Sequence, residues 1–329
     1  MKIFVSIVSY RDPQLKDTIM SLFDNKSTRH DITIGVFEQT ALEDSLVTID
    51  PQLATHPNVR YKRIDPIYSE GVGWARAINA LQVEDEDFYY QIDSHMRFDK
   101  DWDRMLVNDW RKGRDAHGTN KILITCCCNN YDIDENGKDF LHRQGFPMTG
   151  KVKYFHYQDN NIIGAHGSII GATENIEPAI HICAGNMFTH RDWLQDVGNN
   201  PRIYFDGEEQ WLTLMSFAKG YHLYHPRVIG CYHYIGTAEY VTKQWFQPII
   251  TMEKYGQLVH KSIAELNTLL EEIDEDVLIA YHQYSGVDYI NKRLDEKALS
   301  KEIKTHQFNS SNTTTREDES GTIDTDPSK

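Results

Sequence analysis

The 329-residue sequence contains no apolar run of about eighteen residues, the length that a membrane-spanning helix needs. Cysteine is scarce and odd in number: five in all, with Cys126, Cys127 and Cys128 consecutive, which excludes a disulfide framework. Basic residues are few as well, because 34 Lys and Arg stand against 49 Asp and Glu, for a net charge of −15. Phosphate contacts need clustered positive charge, so a broad nucleic-acid-binding face is disfavoured, although a local groove stays open. We expect buried thiols, a reducing cytoplasmic compartment and no membrane span.

The first half of the chain alternates strand-like and helix-like segments. Residues 3–9 alternate and are rich in Ile and Val, which predicts a first strand rather than a signal peptide. Asp12 and Pro13 then supply a cap and a first-turn proline for a helix. The same signals predict strands at 32–38, 59–64, 88–92 and 122–127 and helices at 73–81 and 208–219. This order predicts an α/β fold with an open, mostly parallel sheet, whose ligand site lies at the carboxyl ends of the strands.

The second half is less regular. Residues 129–166 are polar with few periodic cues, so we expect loops there. Residues 242–301 have helical periodicity, and residues 304–329 are polar and acidic with almost no apolar side chains. We therefore predict a catalytic domain at 1–240, a helical C-terminal extension at 241–303 and a disordered tail at 304–329.

A possible metal-ligand set is the main chemical signal. Asp93 and His95 flank the small Ser94 directly after a predicted strand, so a bend of the chain can turn both toward one cation. Two protein ligands hold an ion loosely, and His233, in an apolar strand-like segment, is the candidate for the third. By spacing alone the alternatives are a strand-end turn with a surface histidine, and a half-buried structural His233.

Arg76 is a second candidate. It follows the turn Gly71-Val72-Gly73, whose glycines let the backbone approach a ligand, and its planar guanidinium can donate to a ribose or a pyrophosphate. The alternative is an arginine on a helix surface, since a single Gly-x-Gly is weak evidence of phosphate binding.

Five motifs together resemble one enzyme family. In chain order they are VSIVSYRDPQLKDTI, GVGWARAINA, YYQIDSHMRFDKDWD, HICAGNMFTHRDWL and DGEEQWLTLMSFAKGYHLYHPRVIGCYHY. They resemble the N-acetylglucosaminyltransferases whose known member modifies hydroxyproline on a cytosolic ubiquitin-ligase subunit, and which are similar to polypeptide N-acetylgalactosaminyltransferases. The resemblance covers about residues 3–235 and leaves the C-terminal helices and the tail outside. It implies the GT-A fold, a UDP-sugar donor, Mn²⁺ or Mg²⁺, and retention of anomeric configuration.

The resemblance also assigns roles to residues of this sequence. Asp93, Ser94 and His95 match the family's Asp-x-His metal motif, and His233 matches its distal metal-binding histidine. A carboxylate facing the sugar or the acceptor is implied at Glu209 first and Asp206 second, where it orients the substrate and stabilises positive charge at the anomeric carbon. The positions implied to hold the donor are Val8, Ser9, Tyr10, Arg11, Glu38, Gly185 and Asn186, and we expect Arg76 and Ser94 to contact it as well.

The leading hypothesis is a metal-dependent retaining transferase that moves GlcNAc from a UDP-sugar to a hydroxyl on a protein or glycan. Within the same class, the donor is UDP-glucose or UDP-galactose, or the acceptor is a lipid-linked glycan or a modified nucleobase. From another class, the chain is a catalytically inactive protein that binds sugar nucleotides or glycans. The complete set of Asp93, His95 and His233 disfavours that last hypothesis, because binding alone does not require a cation site.

Overall fold

The structure is a computed structural model that describes residues 1–41, 43, 49–142, 148–157, 160–234 and 251–299. In this part of the chain the strands are β1 Lys2–Tyr10, β2 Asp31–Gln39, β3 Val59–Ile64, β4 Phe88–Ile92, β5 Met96–Phe98, β6 Ile122–Thr125, β7 Asn129–Ile133, β8 Asp139–Leu141, β9 Met148–Tyr157, β10 Ile163–Gly171, β11 Glu177–Pro178, β12 Asn186–His190, β13 His222–His225, β14 Cys231–Tyr234, β15 Val287–Asp288 and β16 Arg293–Leu294. The helices are α1 Leu15–Asn25, α2 Pro51–Ala54, α3 Val72–Ala80, α4 Trp102–His117, α5 Trp193–Asp196, α6 Glu208–Ala218, α7 Met252–Glu272, α8 Glu275–Ser285 and α9 Glu296–Leu299, and a 3₁₀ turn lies at Pro66–Tyr68.

One large sheet organises the molecule, with the strand order β11-β13-β6-β12-β4-β1-β2-β3. The pairs β1–β2, β2–β3, β1–β4 and β6–β13 are parallel, whereas β12 runs antiparallel between β4 and β6. The α/β fold with an open, mostly parallel sheet is therefore confirmed.

Helices cover both faces of this sheet, which explains why β1 is buried at seven of its nine positions. Ile3, Val5 and Ile7 point to one face and pack in a core with α1 and α4. Phe4 points to the other face, where it packs in a core with Tyr89 and with residues of α5 and α6. The carboxyl edge of the sheet is thus built on a strand that is held from both sides.

A smaller sheet, with the order β5-β14-β7-β8, lies beside this edge. Strand β14 pairs antiparallel with β5, and His233 lies opposite Met96 in the register. Because Met96 directly follows His95 in the chain, this pairing brings two histidines that are far apart in sequence to neighbouring positions.

The prediction of loops over residues 129–166 is wrong. The structure has β7, β8 and β9 in this stretch, and β10 begins within it. Strands β7 and β8 form part of the small sheet with several exposed side chains, so they lack the apolar alternation that marks a half-buried strand.

The predicted helical periodicity near the C-terminus corresponds to α7, α8 and the short α9. Leu266 is fully buried, and Leu269, Leu270 and Ile273 pack against a core cluster that includes Leu214 of α6. None of the helices in the described ranges has the length and apolar character that crossing a bilayer requires. Residues 241–250 and the predicted tail lie outside the described residues, and the division into 1–240, 241–303 and 304–329 stays a prediction.

The five cysteines are free thiols in the structure. Cys126 and Cys231 are buried, and the other three are partly buried.

Candidate active site

Asp93 stands at the centre of the site because it directly follows β4, at the carboxyl end of a central strand. Ligand sites of open α/β sheets form at this edge. The Asp93 backbone N–H donates to the Gly185 carbonyl at 3.2 Å. A Cβ atom at position 185 would collide with the Asp93 carboxylate, so only glycine lets the two segments approach this closely.

Asp93, His95 and His233 converge and form what we call the cation cluster. One ligand atom from each lies within 4.8 Å of the other two. The Nε2 atoms of His95 and His233 are 3.0 Å apart, and His233 Nε2 is 3.4 Å from Asp93 Oδ2. Two neighbouring ligands placed about 2.1 Å from an octahedral cation are about 3 Å apart, so these separations fit a shared ion. One carboxylate and two imidazoles are also a donor set that suits a divalent cation.

Asp12 holds His95 from behind. Its Oδ2 atom lies 2.5 Å from His95 Nδ1 and accepts a hydrogen bond from Ser94 Oγ at 2.6 Å. Its Oδ1 atom accepts from the Gln14 backbone N–H at 2.9 Å. A carboxylate on Nδ1 keeps the proton there and leaves the Nε2 lone pair for a metal, as is usual for metal-binding histidines. Asp12 is thus a positioning residue for the cation cluster.

Arg76 connects the cation cluster to α6. Its Nη2 donates to Asp93 Oδ1 at 2.9 Å and its Nη1 donates to Glu208 Oε2 at 2.5 Å. The Arg76 side chain is only 3% exposed, so the alternative of an arginine on a helix surface is wrong. The turn before α3 places it there: Gly71 has φ +106°, and a Cβ atom at this position would meet Tyr204.

These neighbours set the charge of Asp93. Desolvation alone would raise its pKa, but the contact with His233 and the positive charge of Arg76 outweigh it and hold the pKa of Asp93 well below its usual range. The pKa of Asp12 is lowered too, since the interaction with His95 overcomes desolvation. Both carboxylates are therefore ionised at neutral pH.

A second carboxylate lies across the Ala184–Gly185 backbone, in what we call the Glu209 recess, formed by Glu209, Ala184 and His181. Glu209 Oε1 accepts from the Ala184 backbone N–H at 2.9 Å, and Oε2 lies 3.8 Å from His181 Nε2. Desolvation raises the pKa of Glu209 to about 7, although 42% of its side chain stays accessible to solvent. Burial also lowers the pKa of His181 to about 4, so this imidazole is neutral at pH 7. The recess thus carries a carboxyl that a ligand can reach and that titrates near neutrality.

Comparison of the sequence with known families shows which family the chain belongs to. The profile of the family described as Glycosyltransferase (GlcNAc) matches residues 2–57 and 48–317, which is most of the chain. The chain belongs to this family. It is a glycosyltransferase. The match includes α7, α8 and α9, which we had expected to lie outside the resemblance. A search of curated proteins finds no match.

Two solved structures align with most of this chain. The structure of GalNAc-T7 with UDP, GalNAc and Mn²⁺ aligns with a TM-score of 0.51 at 13% identity, over 85% of this chain and 54% of that chain. This transferase therefore spans about half the length of GalNAc-T7. The structure of Staphylococcus aureus TarS residues 1–349 with UDP-GlcNAc aligns with a TM-score of 0.44 at 13% identity, over 86% and 81% of the two chains. The fold is the GT-A fold, as the resemblance implied.

The residues predicted to hold the donor of this glycosyltransferase are spread along the same edge. Val8, Ser9 and Tyr10 end β1, and Arg11 follows with φ +50°, a conformation that few arginines adopt. Glu38, near the end of β2, is fully buried and accepts from the Ile49 backbone N–H at 3.1 Å and from the Tyr61 hydroxyl. Burial raises the pKa of Glu38. Their roles toward a donor stay predictions.

Two other predicted residues of the transferase are occupied by contacts within the protein. Ser94 is buried and donates to Asp12. Asn186 is buried, accepts from the Tyr90 hydroxyl at 2.9 Å and directs its Nδ2 toward Cys126 and Cys231. The side chain of Asn186 therefore connects Tyr90 to the two thiols in this structure. Its contact with a sugar stays a prediction.

Sequence reasoning missed two residues of the transferase site. Asp12 was interpreted only as a helix cap, and Glu208 was given no role. The signal for Asp12 was its place two residues after the end of β1, at the same edge of the sheet as Asp93. Asp206, the second predicted carboxylate, is exposed, and its backbone carbonyl accepts from Ser262 Oγ at 2.7 Å.

Proposed function

We propose that this glycosyltransferase moves a sugar, GlcNAc in the first instance, from a UDP-sugar to a hydroxyl group of a protein or glycan. The reaction retains anomeric configuration and needs a divalent cation held by Asp93, His95 and His233. The family's description supports GlcNAc as the sugar. The observation that carries the proposal is the convergence of these three side chains at the carboxyl edge of a GT-A sheet.

The site fits a cation that is shared with a diphosphate. Asp93 and His95 belong to the β4 edge, whereas His233 comes from the small sheet, so the ligands meet at the junction of the two sheets. The side chain of His233 is 37% exposed and that of Asp93 is 30% exposed, which leaves one side open to a ligand. When bound, the cation would neutralise charge on the departing pyrophosphate.

The chain's own residues supply the rest of the arrangement. His233 and Arg76 favour the ionised form of Asp93, and Asp12 contacts the ring of His95 at its Nδ1 atom. The Ala184–Gly185 backbone separates Asp93 from Glu209, so the two carboxylates face different parts of a bound donor. Pre-organisation of this kind lowers the barrier because the charged groups need no rearrangement during reaction.

Glu209 is the residue we assign to the sugar or the acceptor. A strong base is unnecessary in a retaining transfer in which the departing phosphate takes the acceptor proton. A carboxyl with a pKa of about 7 is available in both forms near neutrality, so it can accept from a sugar hydroxyl and stabilise positive charge at the anomeric carbon.

The experiment measures UDP release by the purified protein from a panel of UDP-sugars, with Mn²⁺ or with a chelator. Mn²⁺ is the first choice because it accompanies UDP and GalNAc in the GalNAc-T7 structure. Many transferases hydrolyse their donor slowly without an acceptor, so no acceptor is needed. We expect metal-dependent release from UDP-GlcNAc above all other donors. Equal release of UDP with Mn²⁺ and with chelator would contradict the need for a cation. Faster release from another UDP-sugar would contradict GlcNAc as the transferred sugar.

A further inference from the structure

Two cysteines, Cys126 and Cys231, contact the Asn186 amide, and a third, Cys128, contacts Cys231; sugar transfer gives none of them a role. Cys231 Sγ lies 3.4 Å from Cys128 Sγ. Asn186 Nδ2 lies 3.0 Å from Cys126 Sγ and 3.3 Å from Cys231 Sγ. The Cys128–Cys231 pair is therefore in contact as two free thiols, one partly exposed and one only 4% exposed.

The backbone around this pair suits a covalent bond. Strands β14 and β7 are parallel, with Tyr232 opposite Asn129, so one residue earlier Cys231 lies opposite Cys128. Neighbouring strands are about 4.8 Å apart, within the range of about 4.4–6.8 Å that the Cα atoms of a disulfide span. The sulfur atoms need to close from 3.4 Å to about 2.05 Å, which side-chain rotation can supply while the strands keep their pairing.

We propose that hydroperoxides oxidise Cys128 and Cys231 to a disulfide that ties β14 to β7 beside the cation cluster. Cys128 reacts first because it is the more exposed of the two: its sulfur attacks one oxygen of hydrogen peroxide, the O–O bond breaks, and a sulfenic acid and one water form. The Cys231 sulfur then displaces that oxygen as a second water and forms the S–S bond. The two thiols lose two electrons and two protons in total, and the peroxide is reduced to water.

We expect the disulfide to affect the cation cluster, because β14 carries both Cys231 and His233. Cys231 and His233 are two residues apart on this strand, so their side chains share one face. Drawing the Cys231 sulfur toward Cys128 takes it from the Asn186 amide and so alters the side-chain packing of the strand that carries His233. We expect the disulfide to weaken Mn²⁺ binding, a consequence that rests on the proposed function, whereas the bond itself does not.

The test treats the native full-length protein with hydrogen peroxide, removes the peroxide, alkylates free thiols in denaturant and maps unreduced peptides by mass spectrometry. We expect a linked peptide that joins residues 126–128 to Cys231, and that disappears after dithiothreitol. Because Cys126, Cys127 and Cys128 are consecutive, variants assign the partner. Cys128→Ser and Cys128→Ala should each abolish the link, and Cys127→Ser should keep it.

Several results would overturn the proposal. These are full alkylation of Cys231 after peroxide, oxidation that ends at sulfinic acid without a link, or a link that persists in both Cys128 variants. Mn²⁺ binding is then compared between linked and reduced protein. Equal affinity would contradict the coupling to the cation cluster, whereas failure of the reduced protein to bind Mn²⁺ would contradict the proposed function and leave the mapping of the link as an independent result.

Discussion

The cation cluster and the Glu209 recess lie on either side of the Ala184–Gly185 backbone, yet the pKa values of their carboxyl groups are shifted in opposite directions. Asp93 is surrounded by an arginine and two histidines, and its pKa is lowered. Glu209 has a backbone N–H and a neutral histidine as neighbours, and desolvation raises its pKa to about 7. The surroundings of the two carboxyl groups therefore suit them to different roles. Asp93 stays ionised and suits cation binding, whereas Glu209 suits hydrogen bonding near neutral pH.

The largest expected effect comes from removing the positive charge of Arg76, which lies beside Asp93. Arg76→Met leaves the carboxylates of Glu208 and Asp93 without the buried guanidinium that pairs with them, so we expect the free energy of unfolding to fall by about 3–5 kcal/mol. Chemical denaturation measures this loss. The matched control is Arg104→Met, whose exposed pair with Asp101 is worth about 1 kcal/mol or less. Equal losses in the two variants would show that the buried network is not holding the site together.

Asp93→Asn tests the anionic side of the comparison. The substitution removes a charged ligand, so metal-dependent UDP release should fall by about a hundredfold or more, since metal ions supply several kcal/mol of transition-state stabilisation. Release is measured at saturating Mn²⁺, with circular dichroism as the check on folding. Turnover close to that of the unmodified protein would mean that Asp93 does not bind the cation.

Asp12→Asn tests whether the histidine of the cation cluster depends on its supporting carboxylate. Loss of such a partner typically weakens metal affinity about 10–100-fold, and we expect that range for Mn²⁺. The matched control is Asp24→Asn, which removes the same charge from an exposed position on α1. If both variants bind Mn²⁺ with equal affinity, the contact between Asp12 and His95 has no positioning role.

The smallest effect is expected in the Glu209 recess. A carboxyl whose pKa is higher in the folded state contributes stability below its unfolded pKa of about 4.3, and that contribution is lost as pH rises through about 7. Glu209→Gln cannot ionise, so the variant should become more stable relative to the unmodified protein between about pH 5 and about pH 8. Thermal unfolding in chelator measures the difference. A difference that stays constant with pH would contradict the raised pKa.

The same comparison shows what sequence could predict. Strands buried on both faces, such as β1, have strong apolar runs, and Asp93 and His95 are close in sequence, so both were found from local pattern. His233 was reached through an apolar strand-like segment and the resemblance. These predictions depend on neighbours along the chain.

The rest depends on contacts between residues far apart in sequence. Asp12 and His95 are 83 residues apart, and Arg76 and Glu208 are 132 residues apart, so no local spacing reveals either pair. Folding brings two thiols to the amide of Asn186, from β14 and from the residue after β6, and contact of this amide with a sugar stays a prediction. Strands β7 and β8 were missed because a half-exposed hairpin carries the polar residues of a loop.

The most direct test of the account is a Mn²⁺ titration of the protein with UDP, followed by electron paramagnetic resonance, in the unmodified chain, His95→Ala, His233→Ala and the exposed control His142→Ala. The account predicts one tight Mn²⁺ site per chain that His142→Ala keeps and that both His95→Ala and His233→Ala weaken strongly. Equal Mn²⁺ affinity in all four proteins, or no binding by the unmodified chain, would contradict the assignment of the cation cluster.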